Sequence, residues 1–548
     1  MTAPTAIRRI ALLAAAAVLL AGCAASPDRK DDPVIAIVPA PARLESATGT
    51  VRLDAGTRIL VDGPGADAVA ATIAPDLRDA TGLPLGIEPG GTADARDGDV
   101  LLLVTGEGPA PDAATAFAVD ESHTIDSADG RVELAAASAA GLFRATQSLR
   151  QLLPARPPAD GAVDLPAFHL EDAPRFAYRG AMLDVARHFF TVEQVIGYLD
   201  AIAMLKLNVL HLHLTDDQGW RLAIEGYPAL TEQGGASAVG GDPGGFYTQG
   251  DYRRIVEAAA ARFITVVPEI DLPGHTNAAL NAVPELNPGG VAPEPYTGIE
   301  VGFSSLSAAP DEAAATDAFL TAVLGQTADL TPGPLLHVGG DESLSTPKAD
   351  YLDLVGRITA IGAATGKTLV GWHELGASTE LPAGTVGQYW SFTTPQEGAT
   401  EETLSFVEQG GSVILSPADV AYLDMKYPDD PDGPLGGKLG LLWADGPTTL
   451  EEAYAWEPTE VVPGLAESDI LGLEAPIWTE TARGFSEVEY LAFPRIAAIA
   501  ELAWSPAVEG ARDEAGFHAR LAPLGAHWRA MGIAFRPVGG VEWTGLAE

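Results

Sequence analysis

From Arg179 onward the chain repeats one unit, a short β-like run followed by a stretch with apolar residues at helical spacing. The β-runs are GAMLDV, NVLHLHLTD, ITVVPEIDL, LLHVGG, TLVGWHEL, TVGQYW, SVILSP and ILGLEAPIW, with helical stretches in most of the gaps. A strand that returns through a helix lies parallel to its predecessor, and eight such units predict a closed (β/α)8 barrel. The first helix opens on Thr191-Val192-Glu193-Gln194, a capping box, and carries apolar residues at Val195, Ile196, Leu199, Ile202 and Leu205. In such a barrel the site lies at the C-terminal ends of the strands, so chemistry is sought there.

The barrel does not use the whole chain. At 548 residues the sequence exceeds what one core usually supports. Residues 34–172 mix β-like runs (TRILVD, DVLLLVTG, HTIDSADGRVELAA) with a helix, SAAGLFRATQSLRQLLP, and predict a smaller α+β domain without a catalytic cluster. EDAPRFAYRG, with Pro174, marks the boundary to a barrel expected over 173–510. Residues 511–548 include DEAGFHARLAPLGAHWRAMGI, which reads as one more helix packed on the barrel.

The N-terminus reads as an address. Arg8-Arg9 precedes IALLAAAAVLLAGC, an apolar run too short to span a membrane and suited to a signal peptide over 1–22. Leu20-Ala21-Gly22-Cys23 resembles a bacterial lipobox, which implies lipidation at Cys23, a tether over 23–33 and folded domains outside the cytoplasmic membrane. The alternative is an ordinary secretory signal with a chance Cys. Cys23 is the only cysteine, so internal disulfides are excluded. With 75 acidic against 32 basic residues the net charge is -43, which argues against nucleic acid as a partner and against membrane contact other than through the lipid.

At the end of the expected fourth strand stands LLHVGGDESLS. Gly339 and Gly340 let the chain leave its pleat, so that Asp341 and Glu342, which would alternate in a strand, can face one pocket. Other strand ends contribute Asp184, Arg187, His188, Asp216, Asp217, Trp220, Glu269, Asp271 and His275. Later ones add Trp372, Trp390, Tyr422, Asp424, Trp478 and Glu480. Acids, one firm cation and several indoles make a sugar-binding composition: flat rings pack on pyranose faces while carboxylates and Arg take hydroxyls. Any one of these tryptophans could equally fill the core.

His337-Val338-Gly339-Gly340-Asp341-Glu342 resembles the H-x-G-G-D-E signature of the family 20 β-N-acetylhexosaminidases, closest to bacterial exo-acting members. RGAMLDVARHF, NVLHLHLTDDQGWR, VVPEIDLPGHTNAAL, GWHEL, YLDMKY and APIWTET resemble that family in order and spacing. The resemblance implies Glu342 as general acid and base, Asp341 orienting the substrate's 2-acetamido group, and Tyr422 bonding its oxygen. It implies Trp372, Trp390 and Trp478 around the acetamide methyl, Arg187 on the 3- and 4-hydroxyls, and Asp424 and Glu480 on the 4- and 6-hydroxyls. Asp216 and His275 resemble the family's buried pair beside the acid, with a purely structural pair as the alternative. Trp443 is a further candidate, for the leaving-group sugar. The implied substrates are chitobiose, chito-oligosaccharides or other N-acetylhexosaminides, with no cofactor and no metal; the gluco or galacto preference and the oligomeric state stay open.

Two rival readings remain at this level. His211-Leu212-His213 has the spacing with which metal-dependent amidohydrolases begin a metal site. A surface lipoprotein that captures chito-oligosaccharides without cleaving them would also use an aromatic cleft, although it needs no acid aimed at the scissile oxygen.

Overall fold

The computed structural model describes residues 35–106, 117–428, 430, 433–507, 510 and 512–546. The signal peptide, Cys23 and the tether lie outside the described residues. Among the described residues no helix is long and apolar enough to cross a membrane.

The smaller domain is a seven-stranded mixed sheet: β1 (Arg43–Leu53), β2 (Arg58–Asp62), β3 (Gly86–Pro89), β4 (Val100–Val104), β5 (His123–Ala128), β6 (Arg131–Ala136) and β7 (Val163–Asp172), in the order β1-β7-β5-β6-β4-β2-β3. Helices α1 (Ala66–Thr81) and α2 (Ala139–Leu152) pack on it, and Ser138 caps α2 by accepting from the Gly141 N–H at 3.0 Å.

The barrel follows with β8 (Tyr178–Asp184) and β9 (Val209–His213), then a short hairpin of β10 (Thr215–Asp216) and β11 (Gly219–Trp220). Its other strands are β12 (Thr265–Glu269), β13 (Leu335–His337), β14 (Thr368–Trp372), β15 (Val386–Tyr389), β16 (Val413–Leu415) and β17 (Ile470–Ile477). The closed order is β12-β13-β14-β15-β16-β17-β8-β9, and all eight expected β-runs supply a strand. Every residue of β8 and β9 is buried, as expected of strands covered on both faces. The first barrel helix, α3 (Val192–Met204), carries the capping box at Thr191 and Gln194. After β14 no α-helix forms; a 3-10 turn, His373–Ala377, stands in its place and keeps Glu374 close to the barrel mouth.

Inside the barrel the layers differ in chemistry. Tyr178, Val209, Val267, Leu335, Val370, Val386 and Ile414 form an apolar floor, onto which Phe117 of the smaller domain stacks at 5.6 Å from the Tyr178 ring. Above it lies a polar layer containing His211, Glu269, His337, Gln388 and Glu474, all fully buried. The two domains share an ionic seam. Glu121 accepts from Arg144 Nε at 2.7 Å and Arg179 Nη2 at 2.6 Å, and Asp172 accepts from Lys206 Nζ at 2.6 Å and Trp504 Nε1 at 2.9 Å. Removing one partner of such a buried pair costs about 3–5 kcal/mol, so the smaller domain is part of the barrel's foundation.

One expectation is corrected. Residues 513–533 form two helices, Glu514–Leu521 and Leu524–Ala530, rather than one. Pro523 lies between them; it has no N–H to donate and its ring crowds the preceding turn.

Candidate active site

Beyond β13 the chain turns through Gly339 (φ 69°) and Gly340 (φ 115°), and Glu342 itself holds φ 39°. The glycine requirement at 339 is also steric, because a Cβ there would lie 1.7 Å from Asp271 Oδ1. This turn brings Asp341 and Glu342 onto the wall of one cavity of about 370 Å³, with Arg187, His275, Trp390, Tyr422, Trp478 and Glu480. Strain at a non-glycine residue is typical of functional turns, and here it falls on the second acid.

Behind the acids runs a row of alternating charge. His275 Nε2 stands 3.7 Å from Asp341 Oδ2 and 3.6 Å from Glu342 Oε2, and its Nδ1 stands 3.3 Å from Asp216 Oδ1. Asp216 Oδ2 takes Arg187 Nη2 at 2.8 Å and His213 Nε2 at 2.9 Å. Burial opposes charge on Asp216, yet Arg187 and His275 hold its carboxyl below the usual range; burial opposes charge on His275 too, yet Asp216, Asp341 and Asp271 raise it well above its usual value. Asp341 moves the other way, to about 7: burial comes first, His275 opposes it, and Glu374 and Glu342 add repulsion. Asp271 is raised by burial and by Asp341.

At one end Arg187 and Glu480 line the cavity, and Asp424 is buried close behind them without lining it. The Arg187 guanidinium lies over the Trp478 ring at 4.8 Å. Burial raises both acids, and their mutual repulsion adds to the shift at Asp424. Both Asp424 oxygens, Glu480 Oε2 and Arg187 Nε are buried without a protein partner. Buried polar atoms of this kind in and around a cavity are poised for a ligand's hydroxyls.

The aromatic residues divide by depth. Trp478 and Tyr422 line the cavity with ring centroids 6.2 Å apart, and Trp390 forms another wall. Trp372 is 1 % exposed and sits beneath the lining, 5.9 Å from Trp478, with its indole N–H donating to Glu269 Oε1 at 2.9 Å. Trp443 is 46 % exposed and meets Trp390 and Tyr422 edge-on at 5.9 and 5.7 Å, which places it at the mouth with Ile299 and Val301.

Sequence reasoning assigned no role to Glu374, Ile299 or Val301. Glu374 accepts from Trp390 Nε1 at 2.9 Å, and burial pushes its carboxyl up to about 8. Its signal was its place two residues after Trp372, just past a strand end. Ile299 and Val301 come from the long loop after β12, whose path no local pattern reveals. Of the remaining strand-end residues, Asp184 accepts from the backbone N–H of Ala186 and Arg187, His188 faces the Thr479 carbonyl, and Asp217 accepts from Ser304 and the Asn277 N–H. These shape the loops rather than the cavity.

The metal reading loses its ligands. His211 bonds Glu474 through Nδ1 at 2.9 Å and Glu269 through Nε2 at 3.1 Å, while His213 bonds Glu269 through Nδ1 at 2.5 Å and Asp216 through Nε2. All four ring nitrogens of the H-x-H pair are thereby committed to carboxylates.

Comparison with known proteins points one way. The family described as "Glycosyl hydrolase family 20, catalytic domain" matches residues 176–351 and 350–507, and "Glycosyl hydrolase family 20, domain 2" matches 34–173. A β-N-acetylhexosaminidase of Cellulomonas fimi is 41% identical over 515 residues, covering 94% of this chain and 98% of the relative. A mutant Streptomyces plicatus β-hexosaminidase in complex with its product GlcNAc superposes with TM-score 0.85 at 43% identity, covering 94% of this chain and 98% of that one. The exo β-N-acetylglucosaminidase of Vibrio harveyi with N-acetylglucosamine gives TM-score 0.75 at 28% identity, covering 93% and 81%.

Proposed function

The chain belongs to glycosyl hydrolase family 20 and is a β-N-acetylhexosaminidase, and from that premise we propose how its residues divide the removal of one N-acetylhexosamine from a non-reducing end. The observation that carries the assignment is the pair Asp341 and Glu342, turned by Gly339-Gly340 onto one cavity wall with His275 behind both. Glu342 protonates the departing oxygen. The substrate's own acetamido oxygen attacks C1, so no enzyme carboxylate forms a bond to the sugar. Asp341 receives the acetamide N–H and faces the positive charge that spreads over the oxazolinium ring. Water activated by Glu342 then opens that ring with net retention at C1.

The other residues hold the sugar. Arg187, Asp424 and Glu480, with their unpartnered polar atoms, bind the 3-, 4- and 6-hydroxyls and close their end of the cavity. Tyr422 bonds the acetamido oxygen, Trp390 and Trp478 enclose its methyl, and Trp372 backs Trp478 from below. Trp443, Ile299 and Val301 offer the leaving sugar an apolar face. Short chito-oligosaccharides suit that arrangement as substrates. Timed digestion of chitin oligomers tests it: monosaccharide and the oligomer shortened by one unit appear together from the start, and early internal fragments without monosaccharide would overturn the closed end.

We also propose that Cys23 carries the enzyme on the outer face of the cytoplasmic membrane. The support is the short apolar run ending in Leu20-Ala21-Gly22-Cys23 and the absence of any other cysteine. A diacylglyceryl group supplies two chains, and two are enough for firm retention. Cys23→Ser shifts activity from the membrane fraction into the medium; unchanged fractionation refutes lipidation as the anchor.

A further inference from the structure

We propose that Glu269, which lies outside the sugar cavity, is a positioning residue from which both halves of the active site hang. This rests on the reading of the cavity as a hexosaminidase site.

Side chains from three strands converge on this one carboxylate. Oε2 meets His213 Nδ1 at 2.5 Å and His211 Nε2 at 3.1 Å; Oε1 meets Trp372 Nε1 at 2.9 Å and His337 Nδ1 at 3.0 Å. Glu269 sits opposite His213 and His337 in the barrel register, so the fold presents these partners to it directly. One arm then runs through His213 to Asp216, and from Asp216 to Arg187 on one side and His275 on the other. That arm ends on the hydroxyl-binding guanidinium and on the imidazole behind Asp341 and Glu342. The second arm is Trp372, which backs the Trp478 wall.

The charge arrangement needs an anion at this point. His213 Nε2 lies 3.3 Å from Arg187 Nη1, so a protonated imidazole there faces a second cation. Glu269 and Asp216 flank it, Asp271 lies within the same cluster, and the Trp478 ring covers it edge-on at 4.8 Å. Burial works against the proton, and Glu269 first and Asp216 next raise His213 to about 9. Without the charge on Glu269, His213 loses the larger of the two anionic partners that raise it and holds its proton less tightly. Asp216 then loses one of the donors that fix it, and Arg187 and His275 lose their common anchor.

The test compares Glu269→Gln with the wild type on a nitrophenyl N-acetylglucosaminide across pH, with melting temperature and near-ultraviolet dichroism measured alongside. Glu269→Gln lowers kcat/KM ~100-fold, as small misplacements of catalytic groups do, and moves the alkaline limb down by at least one pH unit from the wild-type position. His213→Gln, which has no proton to lose at that position, abolishes this limb and leaves the rate low across the pH range. Trp372→Phe, which removes only one arm, raises KM and leaves the limb in place. A merely structural role moves the melting temperature alone. Glu269→Gln within threefold of wild type with an unmoved limb overturns the hub; if that variant does not fold, His213→Gln with an unmoved limb does so. Wild-type protein that fails to cleave the glycoside refutes the function instead, so the two failures are distinct.

Discussion

Asp341→Asn lowers kcat ~100–1,000-fold on an aryl N-acetylglucosaminide and raises the melting temperature at pH 8. The rate loss follows from the role: an amide is nearly isosteric but offers no full charge to the developing oxazolinium, and such electrostatic losses cost ~3–4 kcal/mol. The stability gain follows from the raised Asp341 carboxyl at about 7. The folded state holds this proton more tightly than the unfolded chain, whose carboxyl titrates near ~4. Stability from the group is therefore fully present below that range and is lost as pH rises through the folded value. Asparagine never pays this penalty, so the gain appears at pH 8 and fades toward pH 4. Kinetics on the variant and the wild type, with scanning calorimetry of both at the two pH values, decide it. Fluorinating the acetamido methyl should slow the wild type steeply, since the attacking oxygen becomes a poorer nucleophile; a rate indifferent to fluorination contradicts attack by the substrate.

The opposing signs at this one residue explain why the protein keeps several carboxyls in unfavourable surroundings in and around the cavity. Asp271, Glu374, Asp424 and Glu480 are all raised by burial. A folded protein selected for stability alone would hold none of them there. The ligand's hydroxyls and its transient positive charge are what these groups await, and the rest of the fold offsets their cost.

The barrel was legible because its strands read as continuous apolar runs separated by helices with caps, a pattern set by local chemistry. Asp341 and Glu342 were legible because two glycines before two acids have few other uses at a strand end. Glu269 was visible as a strand-end acid, but its function was hidden, since its partners His211, His213, His337 and Trp372 come from distant stretches and meet only through barrel closure. Trp372 shows the same limit in depth: the sequence marks it as a strand-end indole, and only packing places it beneath Trp478. The break at Pro523 was readable from proline's missing N–H and was passed over for the apolar pattern around it.

Glu342→Gln separates the two chemical steps by leaving group. The residue's side chain is 30% exposed and lines the cavity at its open side, where a departing oxygen and an incoming water can both reach it. A sugar alkoxide cannot leave without a proton, so chitobiose hydrolysis falls ~100–10,000-fold, the range typical of positioned general acids. A nitrophenolate leaves with little protonation, so its first step is scarcely slowed. The oxazolinium then waits, because glutamine cannot deprotonate water, and nitrophenol appears as a burst followed by slow turnover. Azide needs no base, so it restores turnover of the nitrophenyl substrate and yields the β-glycosyl azide, whereas chitobiose hydrolysis stays slow. Equal losses for both leaving groups, or an azide product of inverted configuration, would remove Glu342 from the acid and base role.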